Sequence, residues 1–238
     1  DKLNNIVLLI QHYLADYILI ILLLGGGVIF TIRLGFIQIR GFKAGWKRTF
    51  GGLFSKKGTA GKDGMSSFQA LATAIAAQVG TGNIAGAATA LAIGGPGAIF
   101  WMWIAAFLGM ATIFGEAIMA QKYKHVGKDG HVTGGPVYYI QAAFKGTFGK
   151  ILAAVFSVLI IFALGFMGNA VQSNSIASAF HTAFGIPQIV VGIIIAAIAL
   201  FVFVGGISRI AKVTETIVPI MACFYIIGSL IVIFANFK

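Results

Sequence analysis

The sequence predicts an all-α integral membrane protein with six transmembrane helices, the second of them broken at mid-membrane. Hydrophobic residues make up 59% of the chain and charged residues only 10%, whereas an average globular domain carries roughly 25% charged residues. The apolar runs recur at lengths that suit a hydrocarbon core of about 30 Å. None of them shows the alternation over ~10 residues that marks the strands of a transmembrane barrel. Helices are therefore the expected spanning elements.

The first span is predicted at about Tyr13 to Ile32, and Gly25-Gly26-Gly27 within it allows a close helix contact. A basic loop follows from Arg33 to Lys62, with aromatic side chains interleaved among its charges, which is typical of a segment lying along the membrane surface. Residues 1–66 thus form an N-terminal transmembrane helix and a basic loop. The start of the chain shows no basic region followed by a cleavage site, so we expect the first span to stay in the membrane.

The second span runs from about Ser67 to Ile93, and Gln78-Val79-Gly80-Thr81-Gly82-Asn83 interrupts it near its middle. Two glycines around a threonine, followed by asparagine, disfavour a continuous helix there. Unwound backbone at membrane depth is tolerated only where it lines a cavity or binds something. We therefore predict a broken helix, the arrangement with which secondary transporters build their binding sites.

Four further apolar runs predict the remaining spans. They cover about residues 98–120, 151–180, 188–204 and 217–234. Glycine–proline turns precede the third and fifth spans, and a polar connection from Gln121 to Lys150 precedes the fourth, whose length implies a tilt or a bend. A short loop with Arg209 and Lys212 leads to the sixth span, in which Pro219 is expected to bend the first turn.

The basic residues predict the orientation of these spans. The loops after spans one, three and five carry eight, five and two Lys or Arg, whereas the loops after spans two and four carry none. The positive-inside rule makes the three basic loops cytoplasmic and places both termini outside the cell membrane. Because orientation explains the net charge of +11, we expect no nucleic-acid partner.

Spans two to six form a set of five within residues 67–238, which we interpret as the first repeat of a transporter core. A duplicated five-helix unit that follows an odd number of spans must insert upside down relative to the first. That is the inverted-repeat plan of many secondary transporters. Either this chain is half of a larger transporter, with a second five-helix repeat expected beyond Lys238, or it matches that plan only in part.

The break offers two kinds of backbone group. The half-helix that ends there presents free carbonyls, which suit a hard cation such as Na⁺, and the half-helix that begins there presents amides that suit a carboxylate. The carbonyls are those of Ala76, Ala77 and Val79, and the amides are those of Thr81, Gly82 and Asn83. Gly80 and Gly82 let a ligand approach closely. The alternative is glycine packing between helices, which leaves Gln78 and Asn83 without an explanation.

The fourth span and one carboxylate supply further candidates. Gly165, Asn169 and Gln172 share one helical face that could meet the polar groups of a substrate, with Phe166 or Met167 as apolar lining. The alternative for this face is polar contact between helices. Glu116 is the acidic residue set well inside a predicted span, and either pairing with a loop lysine or arginine or a role in proton coupling or gating would account for it.

Four segments in combination resemble the alanine-or-glycine:cation symporter family, and the likeness covers the whole chain. They are Gln78-Val-Gly-Thr-Gly-Asn-Ile-Ala-Gly, Gly94-Gly-Pro-Gly-Ala, Gly115-Glu-Ala and Gly134-Gly-Pro-Val-Tyr-Tyr. The resemblance implies the amino acid–polyamine–organocation superfamily, a LeuT-type fold, and uptake of alanine or glycine coupled to Na⁺ or H⁺.

The same resemblance implies roles for individual residues. The amides of Thr81 and Gly82 would hold the substrate carboxylate, and the carbonyls of Ala76 and Val79 would hold one sodium ion. Asn83 would assist at a second cation site.

Two other functions remain open from the residues alone. One is an ion channel or passive pore with the glycine-rich break as its filter, and the other is a membrane subunit or receptor that does not transport. The sequence contains no P-loop, no G-x-S-x-G elbow and no H-E-x-x-H helix, so we do not expect an enzyme.

Overall fold

A computed structural model describes residues 2–51, 66–127 and 132–237 of the 238-residue chain. Its helices are α1 (Lys2–Gln11), α2 (Ile20–Arg33), α3 (Ile37–Arg40), α4 (Phe42–Phe50), α5 (Ser67–Gln78), α6 (Ala87–Gly94), α7 (Gly97–Lys122), α8 (Pro136–Ala143), α9 (Thr147–Ile160), α10 (Asn169–Phe184), α11 (Gln188–Val204) and α12 (Gly206–Ala235). Three π-helical segments join some of them: π1 (His12–Leu19), π2 (Gly82–Gly86) and π3 (Ile161–Gly168). Two short strands, β1 (His125–Val126) and β2 (Val132–Thr133), form a sheet.

Within the described residues, four helices are long and apolar enough to cross a membrane. They are Asn4–Arg33, Gly97–Lys122, Thr147–Phe184 and Gly206–Ala235. Two shorter apolar helices, Gly82–Gly94 and Gln188–Val204, lie in the second and fifth predicted spans. An all-α, multi-pass membrane protein is therefore confirmed, while the count of six spans and the LeuT-type repeat stay predictions.

The chain divides into two compact units. The first comprises Asp1–Gly45, Ala88–Val126 and Thr133–Ala153, and the second comprises Trp46–Ala87, Gly127–Val132 and Ala154–Lys238. In the first unit α2 packs along α7, and α3 and α8 also contact α7. In the second unit α5 packs along α12, and α10 and α12 both pack against α11.

The predicted glycine contact of the first span lies at Gly27. This residue is buried, and a β-carbon added to it would lie 2.7 Å from the Cβ of Leu108 on α7. One turn after Gly27, the Thr31 hydroxyl accepts a hydrogen bond at 2.8 Å from Nε2 of Gln38 on α3, and the same nitrogen donates to the Phe107 carbonyl at 3.1 Å. The close backbone approach at Gly27 and the two hydrogen bonds of Gln38 thus hold α2 against α7.

Glycine and proline place the turns where the sequence predicts them. Gly95 has φ +63 between α6 and α7, and Gly185 has φ +70 after α10. Both values lie in the left-handed region, which glycine enters without the steric cost that a β-carbon imposes. Part of the predicted basic loop, residues 52–65, lies outside the described residues.

Three predicted boundaries are wrong. The first helix begins at Lys2 instead of Tyr13, because the apolar stretch before Tyr13 contains no helix breaker. The fourth span begins at Thr147, four residues before the predicted Ile151. Arg209 and Lys212 lie on α12 and not in a loop, since α12 begins directly at Gly206.

The extension of α12 changes two local expectations. Pro219 lies in the interior of this helix and not in its first turn. Arg209 donates from Nη1 to the Phe201 carbonyl at 2.8 Å, so it satisfies a carbonyl in the last turn of α11. A cation in that position also interacts favourably with the helix dipole.

Candidate functional site

The predicted break is present in the second unit. Helix α5 ends at Gln78, and Val79 adopts an extended conformation with φ −97 and ψ 111. A new helical segment starts at Gly82, with Thr81 as its N-terminal capping residue. The interruption of the helix therefore centres on Val79, Gly80 and Thr81, inside the stretch that the sequence indicated.

Two side-chain amide oxygens accept hydrogen bonds from backbone N–H groups at the break. The Gly80 N–H donates to Asn83 Oδ1 at 2.9 Å, and the Thr81 N–H donates to Gln172 Oε1 at 3.1 Å. In a continuous helix these amides would donate to the carbonyls of Ala76 and Ala77. Unwinding thus releases both carbonyls from their usual helical bonds, which makes them available to a cation.

The two glycines of the break differ in what surrounds them. A β-carbon at Gly80 would clash with the side-chain amide of Gln172, so glycine at this position lets that side chain approach the unwound backbone. A β-carbon at Gly82 would meet nothing within 4 Å. Gly80 therefore serves a contact within the protein, whereas Gly82 borders open space next to the unwound backbone.

The remaining predicted site residues are placed less closely together. Asn169 Nδ2 donates to the Gly165 carbonyl at 3.1 Å, so this side chain turns back along its own helix. The side chains of Phe166 and Met167 are 64% and 69% exposed. Gln78, at the end of α5, is also exposed. Of the polar residues predicted on the fourth span, Gln172 is the one that the structure brings to the break.

Two π-helical segments flank this arrangement, and no residue pattern predicted them. Segment π2 (Gly82–Gly86) directly follows the break, and π3 (Ile161–Gly168) directly precedes the helix that carries Gln172. Such turns use i→i+5 hydrogen bonds, which are rare in helices and occur frequently at functional sites.

Polar contacts hold α5, the half of the second predicted span that precedes the break, against α12. Ser66 and Gln69 form a reciprocal capping box at the start of α5, and Gln69 Nε2 also donates to Glu215 Oε2 at 2.8 Å. One turn further on, the hydroxyls of Thr73 and Thr214 lie 3.1 Å apart. Sequence reasoning missed both pairs, because their partners are more than 140 residues apart along the chain.

Glu116 lies in the first unit, on α7, where it is half-buried. Its carboxylate has no Lys, Arg or His nitrogen within 4.0 Å among the described residues. Tyr139, on α8, has a pKa raised above 10.0, chiefly because burial disfavours the phenolate and secondarily because the negative charge of Glu116 repels it.

Comparison with known proteins shows one family. A model of the sodium:alanine symporter family matches residues 1–238. A sodium/alanine symporter from Methanococcus maripaludis is 45% identical over 220 residues, which cover 92% of this chain and 48% of the relative. An amino-acid carrier protein from Bacillus subtilis is 42% identical over 234 residues, covering 98% and 48% of the two chains.

A second Bacillus subtilis relative, named "Probable sodium/glutamine symporter", is 43% identical over 234 residues, which cover 98% of this chain and 47% of the relative. The chain therefore spans about half the length of the curated relatives it matches. The names of these relatives all describe membrane transport of amino acids, and none describes an enzyme.

Proposed function

Because the chain belongs to the sodium:alanine symporter family, we propose that it serves in secondary active transport, coupling Na⁺ entry to the uptake of alanine or glycine. Ion and substrate bind together at the unwound part of the second span and are released inward by alternating access. Na⁺ acts through its higher affinity for the substrate-competent state, as coupling between two ligands requires. H⁺ is the other candidate for the coupling ion.

The observation that carries this proposal is the pair of amides at the break that donate to side-chain oxygens. Gln172 Oε1 accepts from the Thr81 N–H at 3.1 Å, in the place where an oxygen of a substrate carboxylate would accept. In the proposed site the carboxylate displaces Gln172 from this amide and also binds the Gly82 amide, beside which the structure has open space. Gly80 and Gln78 border the same backbone.

The cation is proposed to bind on the other side of the break. Ala76 loses its helical hydrogen bond because the Gly80 amide donates to Asn83, and the extended conformation of Val79 takes its carbonyl out of the helical direction. Backbone carbonyls are suitable ligands for a hard cation. Asn83 would contribute its side-chain oxygen to a second cation if it released Gly80.

The fourth span completes the substrate side of the proposed site. Gln172 would exchange its contact with Thr81 for one with the substrate, and Asn169 and Gly165 lie one and two turns below it on the same face. Phe166 would supply apolar lining. The proposed architecture is a LeuT-type core in the cell membrane with six spans in this chain, a second five-helix repeat after it, basic loops in the cytoplasm and the N-terminus outside.

Tracer uptake into proteoliposomes that contain the intact protein tests the coupling. Alanine and glycine should accumulate when a sodium gradient is imposed, and accumulation should stop when the gradient is collapsed. Glutamine is added as a competitor, because one relative is named for it. Uptake that is the same with and without the sodium gradient would refute Na⁺ coupling, and rapid flux without accumulation would indicate a pore.

Replacing Gly82 with valine tests the location of the site. The structure has nothing within 4 Å of a β-carbon at this position, so Gly82→Val should insert and fold while its bulk blocks the proposed carboxylate position. Gly192→Val is the matched control, because a β-carbon at Gly192 on α11 also meets nothing within 4 Å. Normal alanine affinity in Gly82→Val would place the site elsewhere.

A further inference from the structure

A groove of about 580 Å³ runs between α2 and α7 in the first unit. Ile20, Leu23 and Leu24 of α2 form one wall, and α7 forms the other. None of the proposed ion or substrate residues lines it. The groove is therefore separate from the proposed ion and substrate site at the break.

The floor of the groove consists of small residues on one face of α7. Ala105, Gly109 and Thr112 follow each other at helical spacing, and a β-carbon at Gly109 would meet nothing within 4 Å. Trp101 and Glu116 lie at the two ends, fifteen residues or about 22 Å apart along the helix. One leaflet of the hydrocarbon core is about 15 Å deep. The groove is therefore long enough for one complete acyl chain.

Glu116 places a negative charge at one end of this apolar groove. It lies six residues, or about 9 Å, before the end of α7 at Lys122, close to where lipid headgroups begin. A carboxylate at this depth requires a partner, because an unpaired charge in apolar surroundings is costly. The apolar walls and the carboxylate together select an amphiphile whose tail is a hydrocarbon chain and whose headgroup carries an ammonium group.

We propose that this groove binds a diacyl phospholipid with a primary-amine headgroup, with one acyl chain over Gly109 and the ammonium group on Glu116. A primary ammonium donates up to three hydrogen bonds to a carboxylate, which a trimethylated ammonium cannot do. The site therefore prefers phosphatidylethanolamine to phosphatidylcholine. This inference does not depend on the transported substrate.

Native mass spectrometry of the intact purified protein, titrated with phosphatidylethanolamine, phosphatidylcholine and phosphatidylglycerol, tests the proposal. Wild type should bind phosphatidylethanolamine about tenfold more tightly than phosphatidylcholine, the difference expected for hydrogen bonds to a charged group. Glu116→Gln should remove this preference while both lipids still bind. Equal affinity for the two lipids in wild type would overturn the headgroup assignment.

Filling the groove tests its location. Gly109→Leu should weaken phosphatidylethanolamine binding about tenfold, whereas Gly192→Leu, on α11 and equally open, should leave it unchanged. Monodisperse size-exclusion profiles establish that both variants fold, and Ala105→Leu replaces Gly109→Leu if that variant does not. Unchanged phosphatidylethanolamine binding in the filled variants would overturn the proposal. So would the absence of bound lipid in wild type, which would mean that another segment or a lysine occupies the groove.

Discussion

Gly80→Ala tests whether Gln172 is held at the break as the structure describes. The added methyl group would clash with Nε2 of Gln172 and lie 3.0 Å from its Cδ, so the side chain must move away. Because Gln172 is long and flexible, the main loss is its hydrogen bond from the Thr81 amide. Such a bond contributes about 0.5–1.5 kcal/mol net. In the opposite direction, replacing glycine with alanine stabilises the folded protein by about 0.4–1 kcal/mol, because it lowers the conformational entropy of the unfolded chain.

These opposing terms make the single variant uninformative and a double-mutant cycle decisive. In wild type the two effects of Gly80→Ala nearly cancel, whereas in the Gln172→Ala background only the stabilising one remains. The coupling between the two positions should therefore be about 1 kcal/mol, equal to the lost hydrogen bond.

Thermal unfolding of the four proteins in detergent, followed by tryptophan fluorescence, measures this coupling. The change in Tm caused by Gly80→Ala should differ by about 2–4 °C between the two backgrounds, the shift that 1 kcal/mol produces in a protein of 150–250 residues. Gly82→Ala, whose β-carbon meets nothing within 4 Å, should show no such dependence on Gln172. Identical shifts in both backgrounds would refute the contact between Gln172 and the unwound backbone.

Three further predictions concern other contacts. Gly27→Leu should destabilise by about 1–3 kcal/mol because its β-carbon meets Leu108, whereas Gly26→Leu, with open space, should not; thermal unfolding compares them. The double variant Thr73→Cys, Thr214→Cys, made in a Cys223→Ser background, should form a disulfide on oxidation because the native hydroxyls lie 3.1 Å apart. Gel mobility detects the disulfide, and failure to cross-link would contradict the packing of α5 against α12. The pKa of Tyr139 should fall in Glu116→Gln but stay above 10.0, since burial is the larger cause of its rise; ¹³C NMR of tyrosine, assigned with Tyr139→Phe, measures it.

The Tyr139 shift also predicts a dependence of stability on pH. Its folded pKa is raised above the unfolded value of 10.0, so the folded state retains the proton longer. The corresponding stability is fully present below pH 10 and is lost as the pH rises through the folded pKa. Tyr139→Phe should lack this loss, and equal alkaline stability curves for the two proteins would contradict it.

Local chemistry explains which parts of the fold were predictable. Glycine and proline restrict the backbone within one or two residues, so the break at Gly80 and the turns at Gly95 and Gly185 follow from the sequence itself. Where apolar or charged residues continue without a glycine or proline, no residue indicates where a helix starts. For that reason the first helix begins well before Tyr13, and α12 includes Arg209.

The candidate site was predictable only in its local half. The unwound backbone is encoded within six consecutive residues, whereas the bond from Thr81 to Gln172 joins residues 91 positions apart. Helical spacing placed Asn169 and Gln172 on one face, but it does not determine which of the two reaches the break. The π-helical turn before Gln172 affects that choice, and no residue pattern announced it.

That turn also determines where the fourth span can change its length without moving Gln172. Each residue in an α-helix advances the side-chain direction by about 100°, and a π-helical turn accommodates a residue more than an α-helical one. Segment π3 ends at Gly168, four residues before Gln172. Deleting a single residue within it can convert the π-helical turn into an α-helical one, and Gln172 then keeps its direction toward the Thr81 amide. Deleting a residue from the α-helical stretch between Gly168 and Gln172 would instead rotate Gln172 by about a quarter turn, so it should be tolerated far less.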